Sequence, residues 1–198
     1  MNSEARQTTV HMLLAVFIIA LVCSLIIFVT DMFTRERIAL NKQMSAIRMI
    51  EAVMPLLHDN NLYEDRMEVA ELSTTVYRAR QGERKTGLVF MPLSANGYNG
   101  KIEIAVGISY DGILTGVRII EQRESDGLGD NIHQDKSDWI NGFDQRSLLN
   151  TENKAWAVKN DGGDFDQLSG ATISPRAVIN AVKNILHYYD LNRDNLYN

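Results

Sequence analysis

The feature that most constrains this chain is a run of 19 residues, Met12 to Thr30, that reads MLLAVFIIALVCSLIIFVT and carries no charged side chain. As a helix the run is about 28 Å long, close to the hydrocarbon thickness of a bilayer. A core helix apolar on every face is out of proportion to a chain of 198 residues. A cleaved signal peptide is the more serious rival, because the run lies near the N-terminus. The run is longer than a typical signal core, however, and its exit, Thr30-Asp31-Met32-Phe33, offers no A-x-A-like cleavage site. The expectation is a tail over 1–11 and a retained transmembrane helix over 12–31. Arg6 precedes the run, whereas Arg35, Arg37 and Lys42 follow it, so a count of basic residues leaves the topology open and slightly opposes an inside N-terminus.

Composition narrows what the rest can do. The chain is 45% hydrophobic and 23% charged, as a globular protein is, and its net charge of -5 gives no support to a nucleic-acid-binding surface. The single cysteine, Cys23, lies inside the apolar run. One thiol cannot form an intrachain disulfide, a dithiol redox pair or an iron–sulfur site alone, which removes the commonest protein-borne redox centres. His11, His58, His133 and His187 are scattered without metal-ligand spacing. No hydrolase-type G-x-S-x-G motif is present.

Beyond the anchor the pattern predicts an α+β domain, a small antiparallel sheet packed with helices. Ile38, Ile47, Ile50 and Met54 recur at helical spacing before Pro55, which predicts an amphipathic stalk helix within 32–58. The domain proper is expected over 59–198. Thr75–Arg80 and Leu88–Met91 look like short strands. Ile102, Ile104, Val106 and Ile108 alternate with Glu103, Ala105 and Gly107, and the Asp111-Gly112 turn dipeptide follows. Ile113, Thr115, Val117 and Ile119 resume the alternation, which predicts an antiparallel hairpin with one buried face. Ser137–Phe143 reads as a short helix and Lys154–Val158 as a further strand. The last element is a helix with Val178, Ile179, Val182, Ile185, Leu186 and Tyr189 on one broad face; Ser174 suits its N-cap and Pro175 its first position.

The segment before that helix, Asp166-Gln167-Leu168-Ser169-Gly170-Ala171-Thr172, carries the chemistry. Small residues around Thr172 let a bulky group approach the backbone. A helix N-terminus supplies unpaired N–H groups and a partial positive charge, which suits a phosphate. Taken alone these features also describe a plain capping loop.

The segment resembles the flavin-attachment motif D-x-x-[ST]-G-A-[ST], in which the last residue carries flavin mononucleotide (FMN) as a phosphoester. Asp166, Ser169, Gly170, Ala171 and Thr172 match it. The whole chain, from the anchor to the final helix, resembles the G subunit of the Rnf (also called Rsx) ion-translocating oxidoreductase complex. More distantly it is similar to the C subunit of the sodium-translocating NADH:quinone oxidoreductase. Gly97-Tyr98-Asn99-Gly100, Ser137-Asp138-Trp139-Ile140, Trp156-Ala157-Val158-Lys159 and Asp161-Gly162-Gly163-Asp164-Phe165-Asp166 carry that likeness. Where the family has E-T-P-G-L-G, this chain has Glu124-Ser125-Asp126-Gly127-Leu128-Gly129. Asp126 removes a fixed φ and adds a negative charge, which near the flavin ring disfavours its reduced, anionic forms.

The resemblance implies covalent FMN on Thr172, with Ser169, Gly170, Ala171, Glu124, Gly127, Leu128, Gly129 and Lys159 around it. Lys159 is equally readable as a solvated lysine. Trp139 and Trp156 are readable as core residues or as flanks of the flavin ring. A threonine hydroxyl is a poor nucleophile, so the resemblance also implies a separate flavin transferase using FAD and a metal ion. Thr172 is then an acceptor and not a catalyst. Further implications are partners in the membrane (the A, B, C, D and E subunits of the Rnf complex), electron transfer between ferredoxin and NAD coupled to ion movement, and a domain on the periplasmic side of the bacterial inner membrane. The alternatives are a membrane-anchored scaffold or binding module without a redox centre, which is of a different class, and the related C subunit of the sodium-translocating NADH:quinone oxidoreductase.

Overall fold

Alternating apolar residues between Arg66 and Glu121 fold into a five-stranded antiparallel meander in a computed structural model that describes residues 3–197. The strands are β1 (Arg66–Val69), β2 (Thr74–Gln81), β3 (Arg84–Asn96), β4 (Lys101–Ser109) and β5 (Leu114–Glu121), in spatial order β1-β2-β3-β4-β5. Two helices flank this region in sequence, α1 (Ser3–Val53) and α2 (Ile173–Leu196). The chain forms two compact units, one up to Ser45 and one from Ala46 onward.

The described part of the first unit is helix alone. Every side chain from 11 to 30 is exposed, and this is the one helix among the described residues that is long and apolar enough to cross a membrane. An uncharged surface of this length is stable in lipid, where its backbone is already satisfied. The helical turns continue as far as Val53, and Pro55, which cannot continue a helix, follows two residues later.

In the second unit both faces of the sheet are covered. On one face Phe90, Ile102, Ile104, Val106, Ile108 and Leu114 are fully buried beneath the Val178–Tyr189 stripe of α2. On the other face Ile50, Val53 and Met54 pack with Tyr77, Ala79, Val89 and Ala105. The expectation of one buried face for the hairpin is therefore corrected. The small residues opposite the isoleucines do not face water but admit a helix end. A Cβ on Gly107 would lie 2.0 Å from the Val53 carbonyl oxygen, and one on its cross-strand partner Gly116 3.1 Å from Val53 Cα. The Thr115 hydroxyl donates to that same carbonyl.

The hairpin turns at Asp111-Gly112 as expected, with Gly112 at φ +80°. Its register differs from a simple alternation. Gly107 pairs with Gly116 but Ile108 with Leu114, so Thr115 is an extra residue, and Leu114 takes the core position expected of Ile113. Residues 154–158 are not a strand. A 3-10 turn covers Asn153–Ala155, and only Val158 makes an isolated bridge, to Phe165. The expected helix near Ser137 is the 3-10 turn Trp139–Phe143.

Candidate functional site

From Gln122 to Thr172 the chain runs through turns and short 3-10 pieces, and three stretches of sequence meet at the start of α2. A cavity of about 410 Å³ opens there, within the size range of small-molecule sites. Tyr98 forms one side, Ser125, Leu128 and Gly129 a second, and Gly170 to Ser174 the third, with Glu124 between them.

The attachment segment is shaped by its own backbone. Leu168 and Ala171 bridge across a tight turn closed by Ala171 N–H donating to the Leu168 carbonyl (3.1 Å). Gly170 stands at φ +73°, where a side chain would be strained, and an added Cβ would lie 2.7 Å from Leu128 Cδ2. Leu128 therefore lies directly over the turn. Trp139 Nε1 donates to the Asp166 carbonyl (2.8 Å) and fixes the start of the segment.

The start of α2 corrects the expected cap. Ile173 is the first helical residue, so Thr172 holds the cap position, Ser174 the second helical position and Pro175 the third. The Thr172 side chain makes no capping hydrogen bond and is exposed. Ser174 is buried and donates its hydroxyl to Glu124 instead. Neither hydroxyl therefore caps the helix start. Pro175 has no N–H, and the N–H groups of Ile173 and Ser174 meet no acceptor among the described residues. Two unmatched donors beside an uncommitted hydroxyl on a cavity wall form a small anion-accepting corner.

Salt bridges brace the surroundings. Arg176 in the first turn of α2 makes a bidentate pair with Asp161 (2.6 and 2.7 Å). The hydrogen bond from Arg176 holds the Asp161 carboxyl below the usual carboxylate range. Asp130 is buried; that burial raises its pKa, but the Lys136 ammonium at 3.2 Å opposes it and the net shift is downward.

Of the residues expected around a flavin, Glu124, Leu128, Gly129, Gly170, Ala171 and Thr172 line the cavity, whereas Ser169, Gly127 and Lys159 do not. Lys159 is paired with Asp166 on the surface. Asp126 is exposed and also outside the lining. Trp139 and Trp156 are buried around Phe165, the core alternative. Tyr98, Ser125, Ile173 and Ser174 line the cavity without having been expected there. Gly97-Tyr98-Asn99-Gly100 offered a signal for the first, Ser125 lies in the Glu124–Gly129 loop that carries the family likeness, and Ile173 and Ser174 directly follow Thr172. No cluster of three or more His, Cys, Asp or Glu able to hold a metal exists among the described residues.

Residues 97–187 match the family described as FMN-binding domain. Three relatives, each named as the G subunit of an ion-translocating oxidoreductase complex, span nearly the whole chain. That of Pseudoalteromonas atlantica is 38% identical, covering 90% of this chain and 86% of its own. That of Shewanella loihica is 37% identical (90% and 88%), and that of Pseudomonas aeruginosa 33% (99% and 95%). The chain belongs to this family of G subunits. Among solved structures, NqrC of Shewanella oneidensis is 20% identical with a TM-score of 0.44, covering 70% of this chain and 67% of that one.

Proposed function

We propose that this chain is a membrane-anchored electron-transfer subunit, and that it carries FMN as a phosphoester on the Thr172 hydroxyl. The observation that carries the reading is the state of Thr172. It caps α2 by position but not by hydrogen bond, and its exposed hydroxyl stands on the wall of the cavity beside two unmatched N–H donors. Those donors and the helix macrodipole suit a phosphoryl group. The relatives named as G subunits and the FMN-binding domain match support the same reading.

In this role the Ile173 and Ser174 N–H groups hold the phosphoryl end, Gly170 and Ala171 leave room for it, and Leu128 and Gly129 face it across the cavity. Ser169, Gly127 and Lys159 act at most from outside the lining. Bound FMN supplies reversible electron transfer, and the chain places and shields it. Among the described residues no side chain is hydrogen-bonded to the Thr172 hydroxyl as a general base, so a flavin transferase makes the ester. The apolar helix keeps the domain at high effective concentration beside its partners, the A, B, C, D and E subunits of the complex. By the family resemblance, the complex couples electron transfer between ferredoxin and NAD to ion movement, with this domain periplasmic and the anchor in the inner membrane.

The test is a denaturing gel of the chain made together with the transferase. The wild-type band is expected to fluoresce, and Thr172→Ala to be dark. A dark wild-type band, with no flavin bands in the native visible spectrum, returns the chain to the scaffold alternative. A bright Thr172→Ala band moves the attachment elsewhere.

A further inference from the structure

Glu124 is the one acidic side chain on the cavity wall, an odd neighbour for a phosphoryl group. Its surroundings account for it. The side chain is only 7% exposed, and each carboxylate oxygen already has a donor. Oε1 accepts from the Asn99 N–H (3.1 Å). Oε2 accepts from the Tyr98 N–H (3.2 Å) and from the Ser174 hydroxyl. These donors come from the β3–β4 turn and from the first turn of α2, while Glu124 itself belongs to the loop after β5. The carboxylate thereby ties together all three sides of the cavity.

Two glycines show that the space is reserved for it. A Cβ on Gly97 would lie 2.3 Å from Glu124 Oε1, and a Cβ on Gly129 would lie 2.9 Å from Oε2 and 3.1 Å from Ser174 Oγ. The carboxylate thus occupies the place that side chains at 97 and 129 would need. Asn99 Nδ2 donates to Ser125 Oγ (3.1 Å) and reinforces the same junction.

We infer that Glu124 is a positioning residue, a clasp that sets the Tyr98 turn and the first turn of α2 around the FMN site without itself holding the cofactor. The inference rests on the FMN reading above. A glutamine cannot replace this carboxylate. Whichever way the amide is turned, its NH₂ faces the Asn99 N–H or the Tyr98 N–H, donor against donor.

The experiment uses the full-length chain, made in membranes with the flavin transferase and purified in detergent. Wild type, Glu124→Gln, Ser174→Ala and Thr172→Ala are compared for flavin per chain, visible circular dichroism per bound flavin, and melting temperature. Leaving a buried donor unmatched should lower flavin per chain about tenfold in Glu124→Gln, and losing one donor about threefold in Ser174→Ala. In both, the dichroism of the remaining bound flavin should change, which a loss of global stability alone does not produce well below the melting point. Ser174→Ala decides the matter if Glu124→Gln does not fold. Wild-type loading and unchanged dichroism in the folded variants overturn the clasp, as does a change confined to melting temperature. A dark wild type rejects the FMN reading and the clasp with it.

Discussion

The sheet between Arg66 and Glu121 and the segment between Gln122 and Thr172 are held by different means. In the sheet, ladders run over five strands and both faces are apolar, so many equivalent contacts share the load. The later segment has only isolated bridges; it shares the apolar core through Ile140, Phe143 and Phe165, but its backbone is fixed largely by individual side chains: Trp139 on the Asp166 carbonyl, Arg176 on Asp161, Arg146 on Asp164, and Glu124 on three donors. An inner strand of a regular ladder leaves no backbone group unmatched and no gap in its surface. The irregular segment leaves both, which is why the cavity and the uncommitted Thr172 hydroxyl lie there.

The comparison can be broken most severely in the sheet. Phe90 is fully buried in the core shared with α2, and Phe90→Ala should cost about 3–5 kcal/mol, read as a lowered denaturant midpoint for the whole domain. A smaller effect is expected in the irregular segment. Trp139→Phe keeps most of the packing but removes the bond to Asp166, and should cost about 1 kcal/mol while exposing 166–171 to proteolysis. A loss as large as that of Phe90→Ala would show the two regions to be one cooperative core. The smallest effect is set by pH. The folded pKa of Asp161 is depressed, so its pair with Arg176 stabilises the fold fully above the unfolded carboxylate value of about 4 and is lost as pH falls through the lower folded value. The melting-temperature gap between wild type and Arg176→Gln should therefore be steady near neutrality and close in acid. A gap that widens in acid would contradict this sign.

The same division decided how much the sequence disclosed. The apolar run and the β4–β5 hairpin were legible because hydropathy and alternation are local. The phase within β5 was not, since one extra residue at Thr115 turns Leu114 inward in place of Ile113. β1 went unread because Arg66-Met67-Glu68-Val69 is short and charged, as an edge strand that resists pairing with other chains should be. Trp156 and Val158 alternate like a strand but are buried through turns against Phe165. Ser174 looked like a cap because its actual partner, Glu124, lies far away in sequence. Asp126 drew attention as a family departure, yet it faces solvent outside the cavity lining, where water screens its charge.

The exposure of Thr172 has a consequence for the order of events in the protein's life. A side chain on the outside of a finished fold needs no chaperoned opening before an enzyme reaches it. On the proposed attachment of FMN to Thr172, synthesis, insertion and folding can therefore run to completion while cofactor is scarce. A standing pool of unloaded chains can then be matured later, at a pace set by supply and not by translation.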